Sequence, residues 1–347
     1  MKLKKPVNYF FGFVGLFILF GLFYNYSLLN YGFSQLKGQL KIIINAQPIE
    51  KVLADPEFPD SLKNKLILIQ EIKAFAVENI GINPSNNYTT VYDQKGKPVL
   101  WVLTASEPYE LKAFEWTFPF LGKVSYKGFF DLDRGIIEMA ELKNAGYDVE
   151  LGKVGAWSTL GWFNDPILTN MLDRNEGDLA NLVIHELTHG TLFVKGDVDF
   201  NENLASFIGH QGALRFLEYK FGNNSPQMKK YLDDSQDEKI YTDYIINSAF
   251  RLDSLYSTVK NEKTSVKEEL KINLINQIIS ETKELDVIDK ERSEKLSEKI
   301  LSYKNAYFLS FLRYGSKQDD FQNQLEAVFE NDLKAYLLHL KALYPSL

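Results

Sequence analysis

The spacing of apolar residues changes character several times along the chain. Residues 7–24 are apolar apart from Asn8, and Lys2, Lys4 and Lys5 precede them. Across 33–82 the apolar positions recur every three or four residues, in 39–45, 50–53 and 61–79, and that period predicts helices. Residues 88–92 and 98–104, on either side of Asp93-Gln-Lys-Gly-Lys, read as short strands, and 123–130 as another. A helix is expected over 131–146 and extended chain over 147–160. From Gly177 onward the pattern is helical almost throughout. Its segment 259–304, rich in Glu and Lys, reads as a solvated helical hairpin. The order predicts an α+β chain, mostly helical, with a small sheet ahead of the first long carboxyl-terminal helix and a helical lobe behind it.

Residues 7–24 would span roughly 27 Å as a helix, against a hydrocarbon core of ~30 Å. The lysines on the short side favour cytoplasmic placement, and Tyr24, Tyr26 and Tyr31 suit an interfacial aromatic belt. A cleaved signal peptide is the rival, but no A-x-A site follows Tyr24. The expectation is a cytoplasmic tail and signal-anchor over 1–32, with 33–347 outside the cytoplasm. A formal charge of −7 argues against a nucleic-acid surface, which needs clustered Lys and Arg. No internal repeat or long Pro/Gly/Ser linker divides the chain, and nothing in it demands a protein partner.

Candidate chemistry is concentrated in one helix. Of only four histidines, two stand in His185-Glu-Leu-Thr-His189, inside the mostly apolar run 178–190. Residues i and i+4 share a helical face, so both imidazoles can reach one ion. Asn175 or Asp173 is available as the cap. A catalytic zinc site takes three protein ligands, commonly two imidazoles and a carboxylate, and leaves a position for water. Glu186 is then placed to take a proton from that water.

The third ligand is sought downstream, where 200–209 again has helical spacing. Glu202, beyond the turn Lys195-Gly-Asp197, can point back at the histidines, with Ala205 and Gly209 small enough for close helix packing. Its alternative role is a favourable first-turn carboxylate. Asp197 and Asp199 are rivals, either as ligand or as acceptor for a ligand imidazole. His210, two turns on, reads as a surface or packing histidine.

With these residues in view, the sequence resembles the bacterial family of predicted zinc aminopeptidases, which pairs a HELxH segment with GDxxFNExxA. Here the second motif is Gly196-Asp-Val-Asp-Phe-Asn-Glu202-Asn-Leu-Ala205. The likeness extends to Trp116-Thr-Phe-Pro119, Gly122, Tyr126-Lys-Gly128-Phe-Phe130 and Trp157-Ser-Thr-Leu-Gly161-Trp-Phe-Asn-Asp-Pro166. It also covers Leu-Lys-Gly-Gln-Leu at 36–40 and Asn305-Ala306. The resemblance implies a zincin-like (gluzincin-like) fold with one Zn²⁺ per chain, held by His185, His189 and Glu202, and Glu186 as base. It also places the chain in the bacterial inner membrane, as a single-pass protein with its catalytic part in the periplasm. The domain 33–347 then divides into a helical and sheet part, 33–175, and the active-site helices with their lobe, 176–347. Many relatives carry a lipoprotein cysteine and a cysteine pair near the Trp-x-Phe-Pro segment. This chain has no cysteine, which excludes both lipid attachment at such a residue and a disulfide.

The substrate expected is a peptide. Gly155, Ala156, Trp157, Ser158 and Thr159 have the character of an edge against which a peptide main chain pairs, an ordinary core strand being the alternative. Tyr241 and Tyr244 are candidate oxyanion donors. The thermolysin-like aminopeptidases bind the free α-amine with a Glu in a Gly-Ala-Met-Glu-Asn strand. Gly155-Ala-Trp-Ser-Thr lacks it, leaving Asp165, Asp173 or Glu176 to substitute. Two alternatives to an aminopeptidase follow: an envelope endopeptidase, or a non-catalytic envelope protein with a structural metal.

Overall fold

The computed structural model describes residues 26–118, 122–153, 164–315 and 318–344. The first part is helical, as its spacing predicts: α1 (Tyr26–Asn45), α2 (Ile49–Ala54) and α3 (Asp60–Phe75). The last of these runs on as a wider π turn over Ala76–Ile80. Between α1 and α2 lies β1 (Gln47–Pro48), which pairs antiparallel with β2 (Thr90–Tyr92).

The expected small sheet is instead three. The two strands around residues 93–97 belong to different sheets. The second edge of β2 is taken, in parallel, by β8 (Ile167–Leu168), so β3 (Trp101–Ser106) cannot pair there. It lies instead between β6 (Lys127–Phe129) and β7 (Asp148–Lys153), antiparallel to both. The expected strand over 123–130 divides, its first half forming β5 (Gly122–Val124) against β4 (Trp116–Phe118). Helix α4 (Leu132–Asn144) covers the β3 sheet, burying Leu142 against Leu103, Phe129 and Val149.

Beyond β8 a 3₁₀ turn, Thr169–Asp173, leads into α5 (Glu176–His189), α6 (Val198–Phe221) and α7 (Pro226–Thr258). The largest apolar core surrounds α5. Leu179, Ala180, Val183 and Ile184 are wholly buried among Leu66, Ile69 and Ile72 of α3 and Leu204 and Ile208 of α6. Each of the Leu, Val and Ile side chains contributes about 1.5–3 kcal/mol on leaving water, so the helix bearing both histidines is among the most firmly seated parts of the fold.

Helices α8 (Thr264–Thr282) and α9 (Lys290–Tyr303) form the expected hairpin, but it is only half solvated. Ile275, Ile278 and Ile300 pack with Ile245, Ala249 and Leu252 of α7 and Phe308 of α10 (Asn305–Gly315). Helices α11 (Gln318–Phe329) and α12 (Leu333–Leu343) close the chain over α6 and the π turn.

Lys271 of α8 is fully buried. Its ammonium donates to Asp148 Oδ2 at 2.5 Å and to Pro108 O at 2.8 Å, with the Tyr109 ring centre 5.4 Å away. The same Asp148 oxygen accepts from the backbone N–H of Asn305 at 3.1 Å, so one carboxylate ties the β3 sheet to two helices of the lobe. Burial pushes the Lys271 ammonium down and the Asp148 carboxyl up, while each partner opposes the other's shift. Asp148→Ala is expected to cost about 3–5 kcal/mol by leaving a buried charge without its counterion. Replacing both members by Leu and Met should recover most of the loss, as read from urea midpoints.

One expectation is corrected. Among the described residues no helix is long and apolar enough to cross a membrane, which overturns the placement as a single-pass inner-membrane protein. The segment 7–24 read as the anchor lies outside the described residues. Tyr31, assigned to an interfacial belt, packs inside the protein. Its hydroxyl donates to Gly128 O at 2.9 Å, and its ring meets Phe118 and Phe129 at 5.7 and 5.9 Å.

Candidate metal centre

Helix α5 starts where the sequence offers a cap. Asn175, not Asp173, supplies it, accepting from the N–H of Asp178 at 2.8 Å. Seven residues of rise then bring one face past Leu182 to His185 and His189, whose side chains are 18% and 5% exposed.

The connection to α6 aims the third group. Gly196 takes φ +82°, a left-handed conformation that a residue without Cβ adopts freely, and Asp197 caps α6 by accepting from Phe200 N–H at 3.0 Å. Asn201 is buried, and its amide pairs with both backbone groups of Val194, donating to the carbonyl and accepting from the N–H, each at 2.8 Å. That pair fixes the turn to the helix one residue before Glu202. Further along, a Cβ on Gly209 would lie 2.5 Å from Asn181 Oδ1 and 3.1 Å from His185 Cβ. Only glycine permits the approach of α6 to α5 at that point, as the small-residue spacing predicts.

The result is a compact group of three. His185 Nε2 and His189 Nε2 are 3.2 Å apart, and the Glu202 carboxylate oxygens lie 3.6 Å from the first and 3.8 Å from the second. Four-coordinate zinc with bonds of 2.0–2.2 Å requires ligand atoms about 3.3–3.6 Å apart. The donor types and their separations both fit such an ion. His189 is pushed down to about 4, mainly by burial, with His185 adding to the effect and Glu202 opposing it. It is therefore neutral at pH 7, the state in which an imidazole ligates. Asp197 and Asp199 are not brought into the group. The first is spent as a cap, and the backbone carbonyl of the second accepts from Asn203.

Glu186 stands beside the group without joining it. Its carboxyl is pushed up to about 7, chiefly by burial, with Glu202 and Asp165 raising it further and His185 and Arg174 opposing. A carboxylate held this near neutrality in a desolvated setting suits proton transfer.

Asp165, Tyr88 and Arg174 were not singled out by spacing as neighbours of Glu186. Asp165 is 1% exposed. Asn87 clamps it, accepting from its N–H at 3.1 Å and donating to its carboxylate at 3.5 Å. Its carbonyl accepts from the N–H of Tyr88, a buried residue at φ +61° whose hydroxyl is held protonated by burial and by the charges of Glu186 and Asp165. A non-glycine residue in that conformation is a local strain that its surroundings must impose. Arg174 ends the 3₁₀ turn within electrostatic range of Asp178, Asp173 and Glu186. The other carboxylates considered for an α-amine lie differently. Glu176 is bound by Lys65 at 2.7 Å, and Asp173 acts electrostatically on Arg174.

Gly155, Ala156, Trp157, Ser158 and Thr159 lie outside the described residues. Tyr241 is buried in the lobe, its hydroxyl 3.0 Å from that of Tyr307. The Tyr244 hydroxyl donates to Ile278 O and to Glu281, at 2.9 and 2.8 Å. Both rings belong to the packing of α7 on its neighbours. His210 is a packing histidine, its Nδ1 3.0 Å from the Tyr231 hydroxyl.

Asn201→Leu is expected to lower stability by about 2–4 kcal/mol, because two backbone groups of Val194 lose their partners. It should also weaken zinc binding about 10–100-fold through misplacement of Glu202. Urea unfolding and zinc titration read the two effects separately.

Comparison with known proteins adds one match: the family described as "Putative aminopeptidase" aligns over residues 30–345. No curated protein and no solved structure matches the chain significantly. With nearly the whole described chain inside that alignment, the protein belongs to the putative aminopeptidase family.

Proposed function

We propose that the protein is a zinc-dependent peptidase, acting as an aminopeptidase through a zincin-like site in the domain 33–347. The observation that carries this reading is the His185, His189 and Glu202 cluster with Glu186 desolvated beside it. A purely structural metal would need no such neighbour. Family membership supports peptidase activity at the coarse level.

His185, His189 and Glu202 would hold one Zn²⁺, which when bound supplies an acidified water and polarises the scissile carbonyl. The chain's own groups do the rest. Glu186 accepts the proton of the attacking water and returns it to the leaving amine, a role its raised pKa suits on both strokes. Asp165, whose charge acts on Glu186, is the candidate for orienting the substrate's free amine or the base itself. Gly155 to Thr159 enter the reading from sequence, as the edge along which the peptide main chain runs.

The test uses the full chain, loaded with zinc, and a mixed peptide library read by mass spectrometry, with Glu186→Gln as control. Stepwise loss of single amino-terminal residues, absent in the control, is the expected result. Internal cuts would make the protein an endopeptidase, and no cleavage of any peptide would overturn the reading.

A further inference from the structure

Helix α1 carries apolar residues on two opposite faces. On its inner face Tyr31 and Gln35 both donate to Gly128 O, at 2.9 and 3.0 Å. Gly38, where the Phe130 ring leaves no room for a Cβ, and Ile42, buried in the main core, complete that face. At about 100° per residue, Leu29, Phe33, Leu36, Leu40 and Ile44 fall within an arc of about 80° on the other side. All five are exposed, from 37% at Leu29 to 71% at Phe33 and 74% at Ile44. Scattered exposed apolar residues are ordinary, but five in one row about 22 Å long form a patch of the kind that marks an interaction site.

The row fits a second copy of the same chain. Its first four members are spaced by four, three and four residues, the step of a coiled-coil seam, where each side chain enters a gap on the partner helix. The five offer on the order of 400–500 Å² of apolar surface, and two copies together about 900–1,000 Å². With the flanking polar groups added, that reaches the ~1,000 Å² expected of a specific interface. Charge sets the direction. Lys37 is exposed beside the seam, and α1 has no acidic residue to offset it. An antiparallel pair centred on Leu36 would bring two Lys37 ammoniums together, whereas a parallel pair sets Lys37 opposite Gly32 of the second copy.

We infer that the outer face of α1 joins two copies of this chain in a parallel, two-fold-symmetric helix pair along Leu29, Phe33, Leu36, Leu40 and Ile44. The same patch serves on both copies, so any substitution in it acts twice. The inference stands apart from the metal centre and from the peptidase reading.

The chain has no cysteine, so one introduced thiol reports on its own surroundings alone. In the full chain, Leu36→Cys under mild oxidation should give a disulfide-linked dimer that reductant reverses, because residues at one level of a parallel pair meet their own copies. Ile67→Cys, on α3 and similarly exposed, should give none. Phe33→Glu should abolish the cross-link at Leu36→Cys and raise the dimer dissociation constant, read by sedimentation, about 100-fold or more. Val328→Glu, on α11 and about as exposed as Phe33, should leave both unchanged. A chain that sediments as a single copy and gives no cross-link at Leu36→Cys would overturn the inference. So would a cross-link that Phe33→Glu leaves intact, since the association would then lie on another surface. A thiol at position 36 that pairs within one chain with a second thiol at Leu16→Cys would give the face to residues 7–24. One shielded only when phosphatidylglycerol vesicles are added would give it to lipid, and either result would overturn the pairing of two copies.

Discussion

A Glu186→Gln chain is expected to bind one zinc as the native chain does and to hydrolyse peptides about 10²–10⁴-fold more slowly, the usual worth of a positioned acid–base group. The amide is the same size and shape, so the packing of α5 is undisturbed, and Glu186 is not one of the three clustered ligands. What is lost is a group able to hold a proton near pH 7. The carboxyl has that capacity because burial and the charges of Glu202 and Asp165 lift it to about 7. Zinc content and kcat on a common peptide read the two halves of the prediction separately. Retained hydrolysis would remove Glu186 from the mechanism. Lost zinc would instead place it among the ligands.

Glu202→Ala should cut zinc affinity by more than the ~10–100-fold typical of a lost outer-sphere partner, because a direct ligand goes. The substitution leaves the supports of the turn alone. Asp197 still caps α6 and Asn201 still pairs with Val194. The metal-free proteins should therefore melt alike. In zinc at 100 times the native dissociation constant, the native chain gains about 2.7 kcal/mol from the ion, and the variant gains little. Melting with and without zinc makes the comparison. An equal gain in both would move the third ligand elsewhere, against the cap geometry of Asp197.

The legible part of this protein was the part whose signals are local. The start of α5 at Asn175 or Asp173, the shared face of His185 and His189 and the fit of Gly209 follow from spacing and residue size. Glu202 is preferred to Asp197 and Asp199 on sequence because two imidazoles and a carboxylate are a common catalytic zinc set, and it is Glu202 that the structure brings to the histidines. Pairing between distant strands was not legible. Nothing near residues 88–104 announces that β8, some seventy residues on, takes the free edge of β2 and separates two strands that look like neighbours. The buried Lys271 hid in a charged segment for the same reason, since its counterion Asp148 comes from a strand before the active-site helix. Asp165 and Tyr88 reach Glu186 only through tertiary packing. The hydroxyls of Tyr241 and Tyr244 are bonded within the lobe, and a tyrosine on a helix after the ligand helix carries no sign of which way its hydroxyl points. The same holds for Tyr31 near the amino terminus. Tyr31 suits a membrane interface by type, and its hydroxyl is bonded to Gly128.

The central claim is that one ion is held by two imidazoles and one carboxylate. X-ray absorption at the zinc edge, on the full chain reconstituted with one equivalent of metal, tests it most directly. The spectrum should give four light ligands at about 2.0–2.2 Å, two of them with the outer-shell scattering of imidazole. His189→Ala should reduce the imidazole count to one. A six-coordinate oxygen environment, or an imidazole count unchanged by that substitution, would contradict the account.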